Sequence, residues 1–134
     1  MNEKKKVRVL LAEDEPHIRE LMKRVFLAMN TEIVAEAGNG RDAVSLYRQH
    51  KPDILLMDIN MPIMDGKEAL KQVMKEFPKA FVIMLTAVSS MAVVEECLET
   101  GASSYIRKDT SLDEIKKSIK EAWGFYLKTI KEKK

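Results

Sequence analysis

Five short apolar runs recur along the chain, and each one precedes a segment whose apolar residues have helical spacing. The third and fourth runs contain almost no polar residue, which is typical of strands covered on both faces. Alternating strands and helices predict a parallel sheet with helices on both of its faces, joined by right-handed crossovers. The predicted strands are Val7–Ala12, Thr31–Ala37, Ile54–Asp58, Ala80–Leu85 and Ser104–Arg107.

Apolar residues three and four positions apart predict five helices, one after each strand. Helix-start signals place their beginnings near Pro16 (with Glu15 or Asp14 as the cap), after Gly40, at Gly66, after Ser89 or Ser90, and behind the capping-box sequence Ser111–Glu114. The predicted fold is therefore a single doubly wound α/β domain of the (βα)5 type. We expect the domain to span residues 7–127, between a basic tail at 1–6 and a lysine-rich end at 128–134.

The last predicted helix carries an unusual group of apolar residues at its end. Trp123, Phe125, Tyr126 and Leu127 cannot all lie on one helical face, because consecutive residues are about 100° apart. Packing against the sheet accounts for some of them, and we expect the others to be exposed or covered by a partner.

Composition places the chain among ordinary globular domains. Its 134 residues are 46% hydrophobic and 33% charged. No apolar run approaches the ~18 residues of a membrane span, and the N-terminus lacks the form of a signal peptide. We therefore expect a cytoplasmic protein without a membrane partner. The single cysteine, Cys97, excludes an internal disulfide and a cysteine-rich metal site.

The net charge of +2 is unevenly distributed. The two ends hold seven of the 23 basic and two of the 21 acidic residues, which leaves 16 basic and 19 acidic residues, a charge of −3, in 7–127. Basic blocks at chain ends are usually solvated tails. Aromatic residues are only 6% of the chain and do not alternate with basic ones, so we expect no direct binding of nucleic acid.

Four of the five strands end on polar residues that could carry chemistry. Glu13–Asp14, Asp58, Thr86 and Lys108 follow strands one, three, four and five. The carboxyl ends of parallel strands lie on one edge of a sheet, where open α/β folds bind their ligands. Three carboxylates gathered there repel one another unless a cation joins them, and hard oxygen ligands suit Mg²⁺ or Mn²⁺.

This set of residues is suited to phosphoryl transfer. Asp58 would be the nucleophile and form an aspartyl phosphate, and Thr86 and Lys108 would contact the phosphoryl oxygens, since such transfer depends mostly on positioning and on neutralised charge. Each residue taken alone also has a simpler explanation. An acidic pair at a strand-to-helix turn often serves only to cap the helix, and a single Thr or Lys is usually structural or solvated.

With these residues in view, the chain resembles the receiver domain of two-component response regulators, the CheY-like fold. The resemblance covers essentially all of 7–127. Its most specific segment is Met57–Gly66, the phosphoacceptor loop, and Leu85–Ala87 and Gly101–Lys108 match the two other signatures in the right order. It implies a flavodoxin-like fold with strand order 2-1-3-4-5.

The resemblance also implies a role for each site residue. Asp58 would accept the phosphoryl group, Asp14 would bind Mg²⁺ directly and Glu13 through water, and the Asn60 carbonyl would complete the protein ligands. The remaining roles carried over are a switch formed by Thr86 and Tyr105, and a pairing of Lys108 with Asp58 before phosphorylation and with the phosphate after it.

The implied partners are a sensor histidine kinase or phosphotransfer protein and a downstream target or output domain. Such domains catalyse their own phosphorylation, and usually their own dephosphorylation, without being enzymes that turn over a separate substrate. A regulated homodimer or output surface would involve helix four, strand five and helix five.

Several alternatives remain beside this reading. The chain could be a fragment of a longer regulator of the same family with a DNA-binding output domain, or a receiver that acts without phosphorylation. A phosphatase with an aspartyl intermediate would be expected to have an acid two residues after the nucleophile, where this chain has Asn60. A nucleotide-binding protein would need a glycine-rich loop after strand one, and there is none.

Overall fold

The computed structural model describes residues 6–87 and 91–132. Strands and helices alternate through this part of the chain as the sequence predicts. The strands are β1 Val7–Ala12, β2 Thr31–Ala37, β3 Ile54–Asp58, β4 Val82–Thr86 and β5 Ser104–Arg107, and the helices are α1 Pro16–Leu27, α2 Gly40–His50, α3 Gly66–Glu76, α4 Met91–Thr100 and α5 Leu112–Glu132.

The five strands form one parallel sheet in the order β2-β1-β3-β4-β5. Every residue of β3 and of β4 is buried, because these strands lie in the middle of the sheet with helices over both faces. Their uninterrupted apolar sequences are what such a position requires. The predicted fold class and strand order are therefore confirmed.

Alternate residues of each strand pack into two separate cores. On one face, Leu10, Leu55 and Met84 pack with buried residues of α2, α3 and α4. On the other, Leu11 and Leu56 belong to a core closed by α1 and α5, which also buries Met22, Phe26, Phe81, Ile115 and Ile119. Two full cores hold the sheet rigidly, and its carboxyl edge can therefore fix the geometry of a site.

Local signals set the helix starts. Asp65 caps α3 by accepting the Glu68 N–H at 2.9 Å, and Ser111 Oγ accepts the Glu114 N–H at 3.2 Å ahead of α5, as the capping-box sequence predicts. Glu15 stands at the N-cap position of α1, but its side chain forms no capping hydrogen bond. The expected cap of α4, Ser89 or Ser90, lies outside the described residues.

Some boundaries and faces differ from the prediction. β4 begins at Val82 instead of Ala80, since the Ala80 N–H donates to the Phe77 carbonyl at 2.9 Å in the preceding turn. Leu98 of α4 and Leu112 of α5 belong to the apolar spacing of their helices, yet both are 39% exposed. The buried residues of α4 are Val94 and Cys97, and Leu112 is the first residue of α5.

The aromatic residues of α5 divide as its geometry requires. Trp123 and Tyr126 pack on Phe81, with ring centroids 5.2 and 4.8 Å away, and the Tyr126 hydroxyl donates to the Lys79 carbonyl at 2.6 Å. Phe125, in contrast, is 74% exposed. Among the described helices, none is both long enough and apolar enough to cross a bilayer.

Candidate functional site

The polar strand ends meet at the carboxyl edge of the sheet. Asp58, the last residue of β3, lies opposite Leu85 of β4 and is 3% exposed. Thr86 follows Leu85 and is also buried. The Lys108 N–H, just after β5, donates to the Thr86 carbonyl at 2.8 Å, which continues the sheet by one hydrogen bond beyond the last strand residue. The convergence predicted from the sequence is therefore present.

Lys108 brings the charges of this edge together. Its Nζ lies 3.0 Å from Asp58 Oδ2 and 3.0 Å from Glu13 Oε1, and its side chain is only 10% exposed. A third carboxylate, that of Glu15, lies 3.4 Å from the same Nζ. One ammonium is thus shared among three carboxylates that reach it from two segments of the chain.

Burial shifts the ionisation of these groups. Desolvation raises the pKa of both Glu13 and Asp58, although hydrogen bonds from backbone N–H groups and from Lys108 oppose it. Desolvation lowers the pKa of Lys108, but its hydrogen bonds to Asp58 and Glu13 outweigh that effect, and the pKa is raised overall. The pocket therefore keeps its ammonium charged and has an excess of negative charge that a second cation would relieve.

The donor set of the pocket fits a small divalent cation. Glu13, Asp14 and Asp58 each place a carboxylate oxygen within 4.8 Å of the others. Glu13 Oε1 is buried, lies 3.0 Å from Lys108 Nζ and, among the described residues, accepts no hydrogen bond. Carboxylate oxygens in this number are the ligands that Mg²⁺ and Mn²⁺ prefer. The clustered acids thus form a pocket that could hold such an ion.

The loop after Asp58 is built around two close approaches. Gly66 passes over the backbone of Asp58, where a Cβ would overlap the Asp58 carbonyl oxygen, and the Gly66 N–H donates to the Ile59 carbonyl at 2.7 Å. Gly40, at the start of α2, donates its N–H to the Met64 carbonyl at 2.8 Å. These contacts anchor the loop at both ends, so Asp58 is held in place by backbone atoms.

Ile63 is strained within this loop. Its φ is +69°, a conformation that β-branched residues rarely adopt, and the Met64 N–H donates to the Pro62 carbonyl at 2.7 Å across it. A hydrogen bond between residues i and i+2 around a positive φ is the rarer, strained form of the γ-turn. The Ile63 side chain is 69% exposed.

Asn60 contacts Asp58 directly, whereas Tyr105 lies at a surface cavity. The Asn60 N–H donates to Asp58 Oδ1 at 3.3 Å, so the two oxygens of Asp58 have different partners. Tyr105, in β5, is half-buried and borders a surface cavity of about 500 Å³ with Phe81, Ala122 and Phe125. A movement of Tyr105 in β5 would therefore alter a cavity that α5 also lines.

Two residues near the site were not expected from the sequence. Glu15 was expected only as a helix cap, and its contact with Lys108 depends on a residue 93 positions away, for which no local signal exists. The strain at Ile63 could not be expected from residue type, since isoleucine argues against positive φ. Gly40 was a hint in the sequence that another backbone segment, here that of Met64, lies against the start of α2.

Similarity to known proteins agrees with this geometry. The family model described as the response regulator receiver domain matches residues 9–120. The chain belongs to this family. Receiver domains are the signalling switches of two-component systems. This chain is therefore a signalling switch of that kind.

Individual relatives fall into two kinds. The chemotaxis protein CheY of Listeria monocytogenes is 37% identical over 116 residues, which cover 87% of this chain and 98% of that protein. The uncharacterized transcriptional regulatory protein YxjL of Bacillus subtilis is 39% identical over 120 residues, 89% of this chain and 55% of that protein. The chain thus spans nearly all of one relative and about half of the other.

A solved structure gives the same fold. A chain of the CheX–CheY–BeF3–Mg²⁺ complex from Borrelia burgdorferi superposes with a TM-score of 0.84 at 28% identity, over 87% of this chain and 89% of that one. The receiver fold is therefore shared in three dimensions as well as in sequence.

Proposed function

We propose that Asp58 of this receiver domain accepts a phosphoryl group from the phosphohistidine of a sensor histidine kinase or phosphotransfer protein. The observation that carries the proposal is the buried Asp58 carboxylate, 3.0 Å from the Lys108 ammonium and within 4.8 Å of oxygens from two more acids. A nucleophile, a fixed positive charge and a cation pocket in one place are what phosphoryl transfer to a carboxylate needs.

The transfer uses few groups. A carboxylate oxygen of Asp58 attacks phosphorus, the O–P bond forms, and the P–N bond breaks with its electron pair left on the imidazole nitrogen, which takes a proton from solvent. Lys108 shifts from the carboxylate to a phosphoryl oxygen, and the Thr86 hydroxyl donates to another. Because the sheet fixes the backbone that carries these side chains, the reaction needs little reorganisation beyond the shift of Lys108.

Mg²⁺, or Mn²⁺, is the cofactor we propose. Asp14 and Asp58 would bind it directly, Glu13 through water, and Asn60 through its backbone carbonyl. When bound, the ion supplies positive charge that offsets the phosphoryl oxygens. Glu13 Oε1 supports this assignment, because it is buried, pairs with Lys108 Nζ at 3.0 Å and accepts no hydrogen bond among the described residues.

The domain acts on itself. We propose that it catalyses its own phosphorylation and dephosphorylation and is not an enzyme with a separate substrate, as the amide of Asn60 in place of a second acid suggests. A receiver that works without phosphorylation is less favoured, because Glu13, Asp14, Asp58 and Lys108 are all present and gathered at one edge.

The signal leaves through α4, β5 and α5. Thr86 and Tyr105 would move together, which changes the cavity that Tyr105 shares with Phe125. A downstream protein, an output domain or a second copy of the chain would read the change at this surface. A longer regulator with a DNA-binding output domain is the alternative setting, since YxjL is nearly twice the length that the chain matches. A cytoplasmic location is part of this proposal.

Intact mass after incubation with a small phosphodonor and Mg²⁺ tests the proposal. The wild-type chain should gain one phosphoryl group, and Asp58→Asn should gain none. Asp53→Asn is the matched control, because Asp53 lies at the opposite end of β3 and accepts the Arg8 N–H at 2.9 Å, away from the pocket. It should be labelled like the wild type.

Two results would contradict this function. One is a wild-type chain that stays unlabelled under conditions in which a known receiver is labelled. The other is an Asp58→Asn chain that still takes up phosphate.

A further inference from the structure

Glu15 is a partner of Lys108 that the proposed reaction does not use. Its Oε1 lies 3.4 Å from Lys108 Nζ, and its side chain is 52% exposed, whereas that of Lys108 is 10% exposed. Glu13 and Asp58 hold the same ammonium from inside the protein at 3.0 Å. The ammonium is therefore held from the inside by two carboxylates and from the rim by a third.

Helix capping does not explain this arrangement. Glu15 has the extended backbone of an N-cap residue, with φ −88° and ψ 117°, but its side chain accepts no hydrogen bond from the helix. Its backbone is fixed independently, since its N–H donates to Glu13 Oε2 at 3.0 Å and its carbonyl accepts the Arg19 N–H at 3.0 Å. The fixed backbone leaves the carboxylate within reach of Lys108.

We infer that Glu15 is a positioning residue whose carboxylate restrains the Lys108 ammonium at the rim of the pocket and so slows phosphorylation of Asp58. This inference rests on the function proposed above, because it concerns the rate of that reaction. Lys108 must leave its carboxylates to contact an incoming phosphoryl group. Each carboxylate that holds it makes the move less favourable, and Glu15 is the one that water can reach.

Two substitutions of Glu15 can separate this effect from simple repulsion of the phosphodonor. A negative charge near the pocket also lowers the local concentration of an anionic phosphodonor. Glu15→Gln removes both the charge and the ion pair. Glu15→Asp keeps the charge on the rim, but its side chain is one methylene shorter, and aspartate at an N-cap bonds the N–H groups of the helix instead. The Lys108 contact is therefore lost while the charge stays.

The rate experiment uses the full chain, acetyl phosphate and Mg²⁺ at low ionic strength, with labelling followed by intact mass. Glu15→Gln and Glu15→Asp should both be phosphorylated about two- to fivefold faster than the wild type, as expected for the loss of one partly screened ion pair. Glu20→Gln is the matched control. It removes one charge from an exposed position of α1 that pairs with Lys23, and its rate should equal that of the wild type.

A second measurement requires neither metal nor phosphodonor. The ¹⁵N signal of the Lys108 ammonium should shift in Glu15→Gln and Glu15→Asp and stay unchanged in Glu20→Gln. An unshifted signal in the Glu15 variants would overturn the inference, as would unchanged rates.

The comparison of variants settles the mechanism. A faster Glu15→Gln beside a Glu15→Asp at the wild-type rate would mean that the rim charge acts by repulsion, and positioning would be rejected. A wild-type chain that takes up no phosphate, or an Asp58→Asn chain that does, would instead count against the proposed function, and the ammonium signal would still decide whether Glu15 restrains Lys108.

Discussion

Gly66 lies directly over the peptide carbonyl of Asp58, at a distance that leaves no room for a side chain. A Cβ on residue 66 would overlap backbone atoms, which cannot move aside as the end of a flexible side chain could. Gly66→Ala should therefore lower the free energy of unfolding by about 1–3 kcal/mol, the usual cost of overpacking, and should slow phosphorylation by displacing Asp58. Urea denaturation measures the first effect and intact mass the second.

Gly124 provides the contrast within the same chain. It lies in α5 with nothing within 4 Å of a built Cβ, so Gly124→Ala should raise the free energy of unfolding by up to about 1 kcal/mol through helix propensity alone. Equal stabilities of the two alanine variants would refute the steric argument.

Asp58→Asn should make the protein more stable at neutral pH. Burial raises the pKa of Asp58 above its ordinary value of 3.8, so the carboxyl ionises first in the unfolded chain. As pH rises from below that value, the wild type therefore loses stability relative to the variant until the pH exceeds the raised pKa. At pH 7 we expect the free energy of unfolding of Asp58→Asn to exceed that of the wild type by roughly 1 kcal/mol, an ordinary size for a single site. This difference should disappear in acid.

Urea denaturation of both chains between acid and neutral pH tests this expectation. An Asp58→Asn chain that is less stable than the wild type at pH 7 would show that the ion pair with Lys108 outweighs the cost of burial. Asp53→Asn should show no comparable gain, since Asp53 is exposed.

Mg²⁺ should stabilise the fold by binding to it and not to the unfolded chain. At a concentration tenfold above Kd, mass action predicts about 1.4 kcal/mol, visible as a higher Tm. Asp14→Asn should abolish most of the increase, because Asp14 is one of the three clustered acids, whereas Glu20→Gln should keep it. A wild-type Tm insensitive to Mg²⁺ would be the contrary result.

Ile63→Gly should stabilise the protein by about 0.5–1 kcal/mol. A β-branched residue at φ +69° costs roughly 1–2 kcal/mol, and little burial is lost because the side chain is 69% exposed. Leu127→Gly is the control, an exposed apolar residue inside α5 where glycine should cost about 1 kcal/mol. Chemical denaturation that shows both variants to be destabilised would argue against strain at Ile63.

Phe125→Ala should weaken any self-association that phosphorylation induces. Phe125 is 74% exposed on α5, beside the cavity that Tyr105 borders, and exposed aromatic side chains are typical anchors of interfaces. With a beryllofluoride phosphoryl mimic and Mg²⁺, the wild type should elute earlier in gel filtration and Phe125→Ala should not. Leu27→Ala, which alters a 67% exposed residue of α1, is the control. Unchanged elution of every sample would leave α5 without a role in dimerisation.

Much of the fold could be predicted because its signals are strong and local. β3 and β4 are apolar up to their last residues, which is typical of strands buried on both faces. Parallel pairing then brings Asp58, Thr86 and Lys108 to one edge. The start of α5 followed from Ser111, whose capping acts within three positions.

The features that were missed depend on contacts distant in sequence. The contact between Glu15 and Lys108 joins residues 93 positions apart. The turn at Ile63 is imposed in part by Gly40, whose N–H holds the Met64 carbonyl, so the local preference of isoleucine loses to a tertiary hydrogen bond.

The hydrogen bond from the Lys108 N–H to the Thr86 carbonyl has a consequence for protein engineering. It couples the segments that carry these two side chains, so a residue inserted or deleted between Arg107 and Lys108 would misplace the ammonium even if the sheet stayed intact. Loops at the opposite edge, such as the one between α3 and β4, carry no site residue. Reporter segments or affinity tags should therefore be tolerated there, and a functional insertion library should recover them almost exclusively from that edge.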